Sequence, residues 1–196
     1  MGGLLAVLAP LGVMNHHVLR VGRGIGALAV ALMVIAILVQ VFFRYILNNA
    51  LPWPDEAARF CMLWMAGLMA PSAFRQGGFV AIDMLVIMLP QLVGGIINLC
   101  LLLLSLLVLV LAVKIGWAEV TGFGGRFATA SLYLPLSLDF SQWLRVPRSW
   151  MMASLLVGVT LLTSVNIELI LRAIVSLLGG NDRLTPIAVV DPGGTE

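Results

Sequence analysis

Charged side chains are scarce in this chain of 196 residues, since Asp, Glu, Lys and Arg together make up only 10% of it. Soluble domains carry about 25%. Hydrophobic residues reach 61%, and the apolar windows, each about 20 residues long, leave little length for a soluble catalytic or nucleotide-binding domain. The net charge of +2 gives no basis for binding nucleic acid. The sequence therefore predicts an all-α integral membrane protein with four transmembrane helices.

Cysteines and intramembrane carboxylates are also few. Cys61 and Cys100 both lie in apolar runs, where a thiol behaves as a small hydrophobe. A self-contained proton-coupled exporter needs a carboxylate in mid-span, and the four charge-free windows contain none. A membrane enzyme needs a cluster of reactive side chains, and neither cysteine has a histidine nearby in sequence. These two functions remain as alternatives, and we expect no catalytic residue, cofactor or metal site.

The apolar windows predict the domain organisation. A four-helix membrane domain covers residues 24–178, with spans at about 24–45, 54–74, 92–116 and 149–175. A polar tail, 179–196, follows it. The N-terminal extension, 1–23, is apolar but contains Pro10 and lacks the basic region of a secretory signal. It is either an interfacial or flexible segment, or a sign that translation begins at Met14.

The second span has the clearest helix start. Pro54 suits the first helical turn, and Asp55 and Glu56 lie against the positive end of the helix dipole. Glu56 and Arg59 are three positions apart, on one helical face, and Arg44 can approach them across the hinge. We therefore predict a small ion-pair network at the headgroup boundary that sets the angle between the first two helices.

Three further segments carry local predictions. Residues 79–89 have apolar positions at helical spacing with Asp83 on another face, which predicts a short amphipathic helix in the interface plane. Glycine and proline break the segment from Ala118 to Pro147, which predicts a loop. Glu168 and Arg172 are one turn apart in the favourable order for a helical ion pair.

Polar and small residues within the spans predict helix packing. Gln40 and Asn98 are candidates for hydrogen bonds between helices. Small residues allow close approach of helices in a membrane. They occur here as Gly22-x-x-x-Gly26, continued by Ala27-x-x-x-Ala31.

Arginine and lysine counts do not orient the chain, because the two sides are nearly balanced. With the N-terminus inside, five arginines lie at the cytoplasmic ends of the spans and six basic residues at the opposite ends. The even number of spans puts both termini on one side.

The run from Arg44 to Asp83 resembles the hallmark segment of the small membrane subunit of TRAP transporters, the DctQ type. Several unlike residues recur there at the spacing of that family. The matching positions are Arg44, Tyr45, Asn48, Asn49, Trp53, Asp55, Glu56, Arg59, Trp64, Arg75, Gly77, Gly78 and Asp83. Phe79 stands where the family commonly has histidine, which puts a polar role there in doubt.

The resemblance implies a sodium-coupled secondary transporter of three components. They are a periplasmic solute-binding protein, a large multispan membrane subunit that holds the substrate and sodium sites, and the small subunit. The resemblance also implies that the small subunit is a scaffold, which contacts its partner subunits and membrane lipid. It further implies a location in the bacterial inner membrane, with both termini cytoplasmic. The solute is expected to be an organic acid or similar small molecule. The matching residues are expected to have structural or partner-contact roles.

Overall fold

Four long helices form the molecule in a computed structural model, which describes residues 2–76, 91–135 and 143–180. They are α1 (Gly2–Tyr45), α2 (Trp53–Arg75), α3 (Gln91–Thr121) and α4 (Ser149–Leu177). All four are long and apolar enough to cross a membrane. The shortest, with 23 residues, is about 35 Å long at 1.5 Å per residue, which exceeds the hydrocarbon thickness of about 30 Å. The predicted fold class is confirmed.

The first helix is longer than the predicted first span. It begins at Gly2 and continues for 44 residues without interruption, so the predicted N-terminal extension is helical and continuous with the span. The division into extension, membrane domain and tail remains a prediction. The amphipathic helix predicted at 79–89 and most of the tail predicted at 179–196 lie outside the described residues.

The helices form a layer in the order α1, α2, α4, α3, with α1 also touching one end of α4. The two sides of α4 explain this order. Ser154 and Gly158 lie against α2, whereas Leu156, two positions from Ser154 and therefore on the opposite side, lies against Gly116 of α3. The layer is one helix thick along most of its width, and α4 is its most buried member.

The packing face of α1 is a seam with a seven-residue repeat, in which buried positions alternate at spacings of three and four. Close approach begins at Gly22 and Gly26, as predicted. It does not continue through Ala27 and Ala31, which are exposed. The seam instead continues through Ala29, which is buried, so the prediction for Ala27 and Ala31 is wrong. The buried members of the seam are Leu8, Asn15, Leu19, Gly22, Gly26, Ala29 and Ala36.

Helices α2 and α4 approach closely at a point where two glycines meet. A Cβ atom on Gly67 would lie 2.5 Å from the carbonyl oxygen of Ser154, and one on Gly158 would lie 2.8 Å from the Cα of Gly67. Backbone occupies both spaces, so only glycine fits at these two positions. This contact fixes the distance between the two central helices.

The segment predicted as a loop is largely structured. Helix α3 extends to Thr121, a 3-10 turn covers Phe123–Arg126, and strands β1 (Ala128–Pro135) and β2 (Trp143–Pro147) pair antiparallel. The pairing is irregular near its start, which is typical of a bulge. At that point the hydroxyl of Thr129 donates a hydrogen bond of 2.7 Å to the carbonyl of Val146. The loop prediction is therefore wrong over these strands.

Candidate functional site

Two asparagines form the hinge between α1 and α2. Both belong to the run from Arg44 to Asp83, which is called the family-like run below. Asn48 has a φ of 49°, a left-handed conformation that asparagine tolerates better than most residues. The amide of Asn49 donates to the carbonyl of Phe43 at 3.0 Å. Pro52 then precedes α2, and a proline lies in the first turn of that helix. The chain thus reverses direction between the two helices within seven residues, 46–52.

The carboxylate of Glu56 binds the antiparallel pair of strands β1 and β2, which is called the hairpin below. It accepts hydrogen bonds from the amide of Ala130 at 3.0 Å and from the amide and hydroxyl of Ser131 at 2.6 Å each. The Ser131 hydroxyl also lies 2.9 Å from the carbonyl of Pro52, and its one proton is donated to either oxygen in turn. Glu56 therefore joins the start of α2 to strand β1.

The predicted ion pair between Glu56 and Arg59 is absent from the described part of the chain, so that prediction is wrong. The carboxylate of Glu56 instead accepts hydrogen bonds from backbone amides of the hairpin, and Arg59 is exposed. Arg44 does not join them either, because it lies over the ring of Tyr45 at 5.9 Å. Asp55 instead links the first two helices by a hydrogen bond of 3.0 Å that it accepts from Gln40.

The bond from Gln40 confirms one of the two predicted hydrogen bonds between helices. The other prediction is wrong, because Asn98 is exposed and forms no such bond among the described residues. Asn166 of α4 has that role. It is fully buried, and its amide, in the orientation that satisfies both ends, donates to the carbonyl of Leu102 and accepts from Ser105 on α3.

The two tryptophans of the family-like run differ in their surroundings. Trp53 is 42% exposed at the first position of α2, which suits the membrane interface. Trp64 lies within the helix beside Phe60, with ring centroids 6.2 Å apart. The indole nitrogen of Trp64 is buried and has no hydrogen-bond partner in the described ranges.

The other end of α2 holds a buried ionic cluster. Arg75 donates two hydrogen bonds to Glu168, at 2.7 and 3.0 Å, and a third to the carbonyl of Gly12 at 3.1 Å. Arg172 approaches the same carboxylate at 3.1 Å, which confirms the predicted pair with Glu168. No part of the Glu168 side chain is exposed. Helices α1, α2 and α4 all contribute to this cluster.

Asn15 completes the cluster from α1. Its amide nitrogen donates to Glu168 at 2.8 Å, and its amide oxygen accepts from Ser164 at 2.7 Å. One turn before Arg75 on α2, Ser72 accepts a hydrogen bond of 2.7 Å from Arg23. These bonds satisfy the polar groups of the cluster and connect three helices.

Several of these contacts escape local sequence reasoning. Glu168 and Arg75 are 93 positions apart, and Glu56 and Ser131 are 75 apart, so no spacing rule links them. Gly77, Gly78 and Asp83 lie outside the described residues. Within the described ranges no group of three or more His, Cys, Asp and Glu side chains is placed to hold a metal ion.

The described part of the family-like run, residues 44–76, forms the turn between α1 and α2, helix α2 itself and one part of the buried ionic cluster. The sequence family described as the DctQ component of tripartite ATP-independent periplasmic transporters matches residues 33–176. The chain belongs to the DctQ family. It is therefore a multi-pass membrane component of a TRAP transporter and not an enzyme. No curated protein matches the chain.

Proposed function

We propose that this DctQ protein is a static scaffold subunit, which supports a large membrane subunit and takes no direct part in moving solute. The layer one helix thick is the observation that carries the proposal. It exposes apolar faces along α1 and α3, and such faces fit a protein partner or lipid.

The internal polar groups support a static role. Ionisable groups within membrane spans often mark the path of a substrate, ion or proton. Glu168 is instead bound by Arg75, Arg172 and Asn15 at the end of α2 and α4. Glu56 is bound by hairpin amides at the other end. Each described carboxylate buried within the helices is thus already engaged in structure.

The assembly and location follow as proposals from membership in a tripartite family. The partners are a large multispan membrane subunit and a periplasmic solute-binding protein, and uptake of an organic acid or similar small solute is coupled to sodium. The assembled transporter is located in the bacterial inner membrane. Both termini are cytoplasmic, which places Glu56 and the hairpin on the periplasmic side and the Arg75 cluster on the cytoplasmic side.

Reconstitution tests the scaffold role. Proteoliposomes would contain this protein alone, the large subunit alone, or both, with the binding protein, a sodium gradient and a labelled organic acid. We expect uptake only with both membrane subunits, and co-purification of the two in mild detergent. Uptake by this protein alone would disprove the proposal, and so would complete separation of the subunits at every ratio tried.

A further inference from the structure

Arg20 of α1 is a cation with no carboxylate partner among the described residues. Its side chain is exposed, and its polar neighbour is the ring nitrogen Nε2 of His16, at 3.1 Å. Arg23, one turn further along α1, donates to the hydroxyl of Ser72 and likewise meets no described carboxylate. Two guanidinium groups on neighbouring turns therefore retain donors for an anion.

The surrounding charge reinforces this. Near these two residues the described chain holds Arg75 and Arg172, and Glu168 as the one carboxylate in the cluster. Among the described residues at this end of the layer, four arginines against one carboxylate leave an excess of three positive charges. Glu168 offsets one of the two charges of Arg75 and Arg172, so one positive charge of the excess stays in the cluster and the other two belong to Arg20 and Arg23.

The depth of these arginines matches a headgroup. Arg23 and Arg44 bracket the charge-free part of α1 and are 21 residues apart, or about 32 Å along the helix. The hydrocarbon core of a bilayer is about 30 Å thick. If Arg44 lies at one boundary, Arg20 and Arg23 lie at the other, at the level of the lipid phosphates.

An apolar trough continues from the arginines toward the opposite boundary. The positions that follow on the same side of α1, at spacings of three and four, are Ala27, Ala31, Val34 and Leu38, all of them exposed. Alanine is shorter than valine and leucine, so this exposed strip, called the trough here, is lowest at Ala27 and Ala31, and that low part is its depression. None of the described residues lies within 4 Å of a Cβ atom placed on neighbouring Gly24, so the described part of the chain leaves the surface beside Ala27 open.

From this arrangement we infer a binding site for an anionic phospholipid on the outer side of α1. Arg20 and Arg23 hold the headgroup phosphate, His16 offers a further polar contact, and one acyl chain lies along the trough past Ala27 and Ala31. Charge complementarity favours an anionic lipid over a zwitterionic one. The lipid site is independent of the transport function and of the partner subunits.

Native mass spectrometry of the purified protein tests the site with two probes, dioleoyl phosphatidylglycerol and dioleoyl phosphatidylcholine. We expect a preference for the anionic lipid in the wild type, which Arg20→Gln lowers about fivefold, the effect of one basic residue near an anionic surface. Arg126→Gln is the matched control, since Arg126 is equally exposed but lies on the 3-10 turn at the other end. It should keep the preference.

A second variant tests the trough separately from the charges. Ala27→Phe fills the depression and should reduce the number of bound lipids of both kinds at least twofold, with the elution volume in size exclusion unchanged. The proposal is overturned by equal binding of the two lipids, or by equal effects of Arg20→Gln and Arg126→Gln. It is also overturned if Ala27→Phe changes nothing.

Two further outcomes would assign the surface to another ligand. If inorganic phosphate displaces the bound phosphatidylglycerol, a free anion and not a lipid headgroup is the ligand. If Arg20→Gln leaves lipid binding intact but reduces co-purification of the large subunit, the surface docks protein. Either result overturns the lipid site without touching the scaffold proposal.

Discussion

Arg75 and Glu168 are 93 positions apart in sequence, and their side chains meet at 2.7 Å with the carboxylate fully buried. A carboxylate in such a place is stable only because its lone pairs are filled. Arg75, Arg172 and Asn15 fill them from three helices. The stability of the layer therefore depends on this one carboxylate more than on any exposed charge.

Removal of that carboxylate should be severely destabilising. Glu168→Gln leaves Arg75 and Arg172 without their shared anion at a desolvated position, so we expect a loss of about 3–5 kcal/mol in the free energy of unfolding. Unfolding in mixed micelles of mild detergent and dodecyl sulfate would measure it. Glu119→Gln is the control, because Glu119 is exposed near the end of α3 and should change stability by less than about 0.5 kcal/mol. Similar losses in both variants would contradict the buried cluster.

A methyl group at the glycine contact should separate the central helices. Gly158→Ala places a Cβ 2.8 Å from the backbone of Gly67, and the resulting overpacking should cost about 1–3 kcal/mol in the same unfolding assay. Gly24→Ala is a matched control within α1, because none of the described residues lies within 4 Å of the added Cβ. Alanine is the better helix former, so this control should be neutral or stabilising by up to about 1 kcal/mol. Equal stability of the two variants would rule out the tight crossing.

Loss of the Glu56 carboxylate should release the hairpin. Glu56→Gln puts an amide N–H₂ near the backbone amides of Ala130 and Ser131, where only an acceptor fits, at a cost of about 1.5–3 kcal/mol. The readout is the rate of tryptic cleavage after exposed Arg126 and Arg145, which should rise.

The variant Arg59→Ala distinguishes two roles for Glu56, binding of the hairpin and an ion pair with Arg59. Arg59 is exposed and makes no ion pair among the described residues, so its removal should leave the cleavage rate unchanged. If Arg59→Ala and Glu56→Gln loosen the hairpin equally, the two charges act together after all and the assignment of Glu56 to the hairpin fails.

A pair of asparagines tests the contact between α3 and α4. Asn166→Ala removes the amide that bonds to Leu102 and Ser105, and a loss of about 0.6–1.7 kcal/mol is expected for a hydrogen bond within a membrane. Asn98→Ala removes an exposed amide from the same helix pair and should be neutral in the isolated protein. A larger loss for Asn98 would mean that the two roles are reversed.

The helices could be predicted from sequence because a span is a local property. Twenty apolar residues and a proline with two acids at a helix start are visible in one window, and the bounds of α2 and α4 follow closely. Glu168 and Arg172 were equally visible, since they are one turn apart. The polar pattern of the Arg44 to Asp83 run indicated the family for the same reason.

The site contacts could not be predicted in this way, because their partners come from distant helices. Arg75 has no local signal for Glu168, and the bulged hairpin lacks a clean alternation of polar and apolar residues. For Glu56, the nearby Arg59 was the obvious partner, but a docked strand offers two amides already fixed in position. Gly67 and Gly158 are single glycines, without the repeated spacing that drew attention to Gly22 and Gly26.

A layer one helix thick also determines where backbone hydrogen exchange can be slow. Helix α4 has a neighbour on each side, whereas α3 packs mainly against α4 and meets no other long helix in the described part of the chain to a similar extent. In detergent, α3 can therefore detach by breaking one interface, and the α1, α2 and α4 unit remains joined by Arg75 and Glu168. The backbone amides of α4 will be the last to exchange. Helix α3, at the edge of the layer, will separate before the ionic cluster of Arg75 and Glu168 breaks.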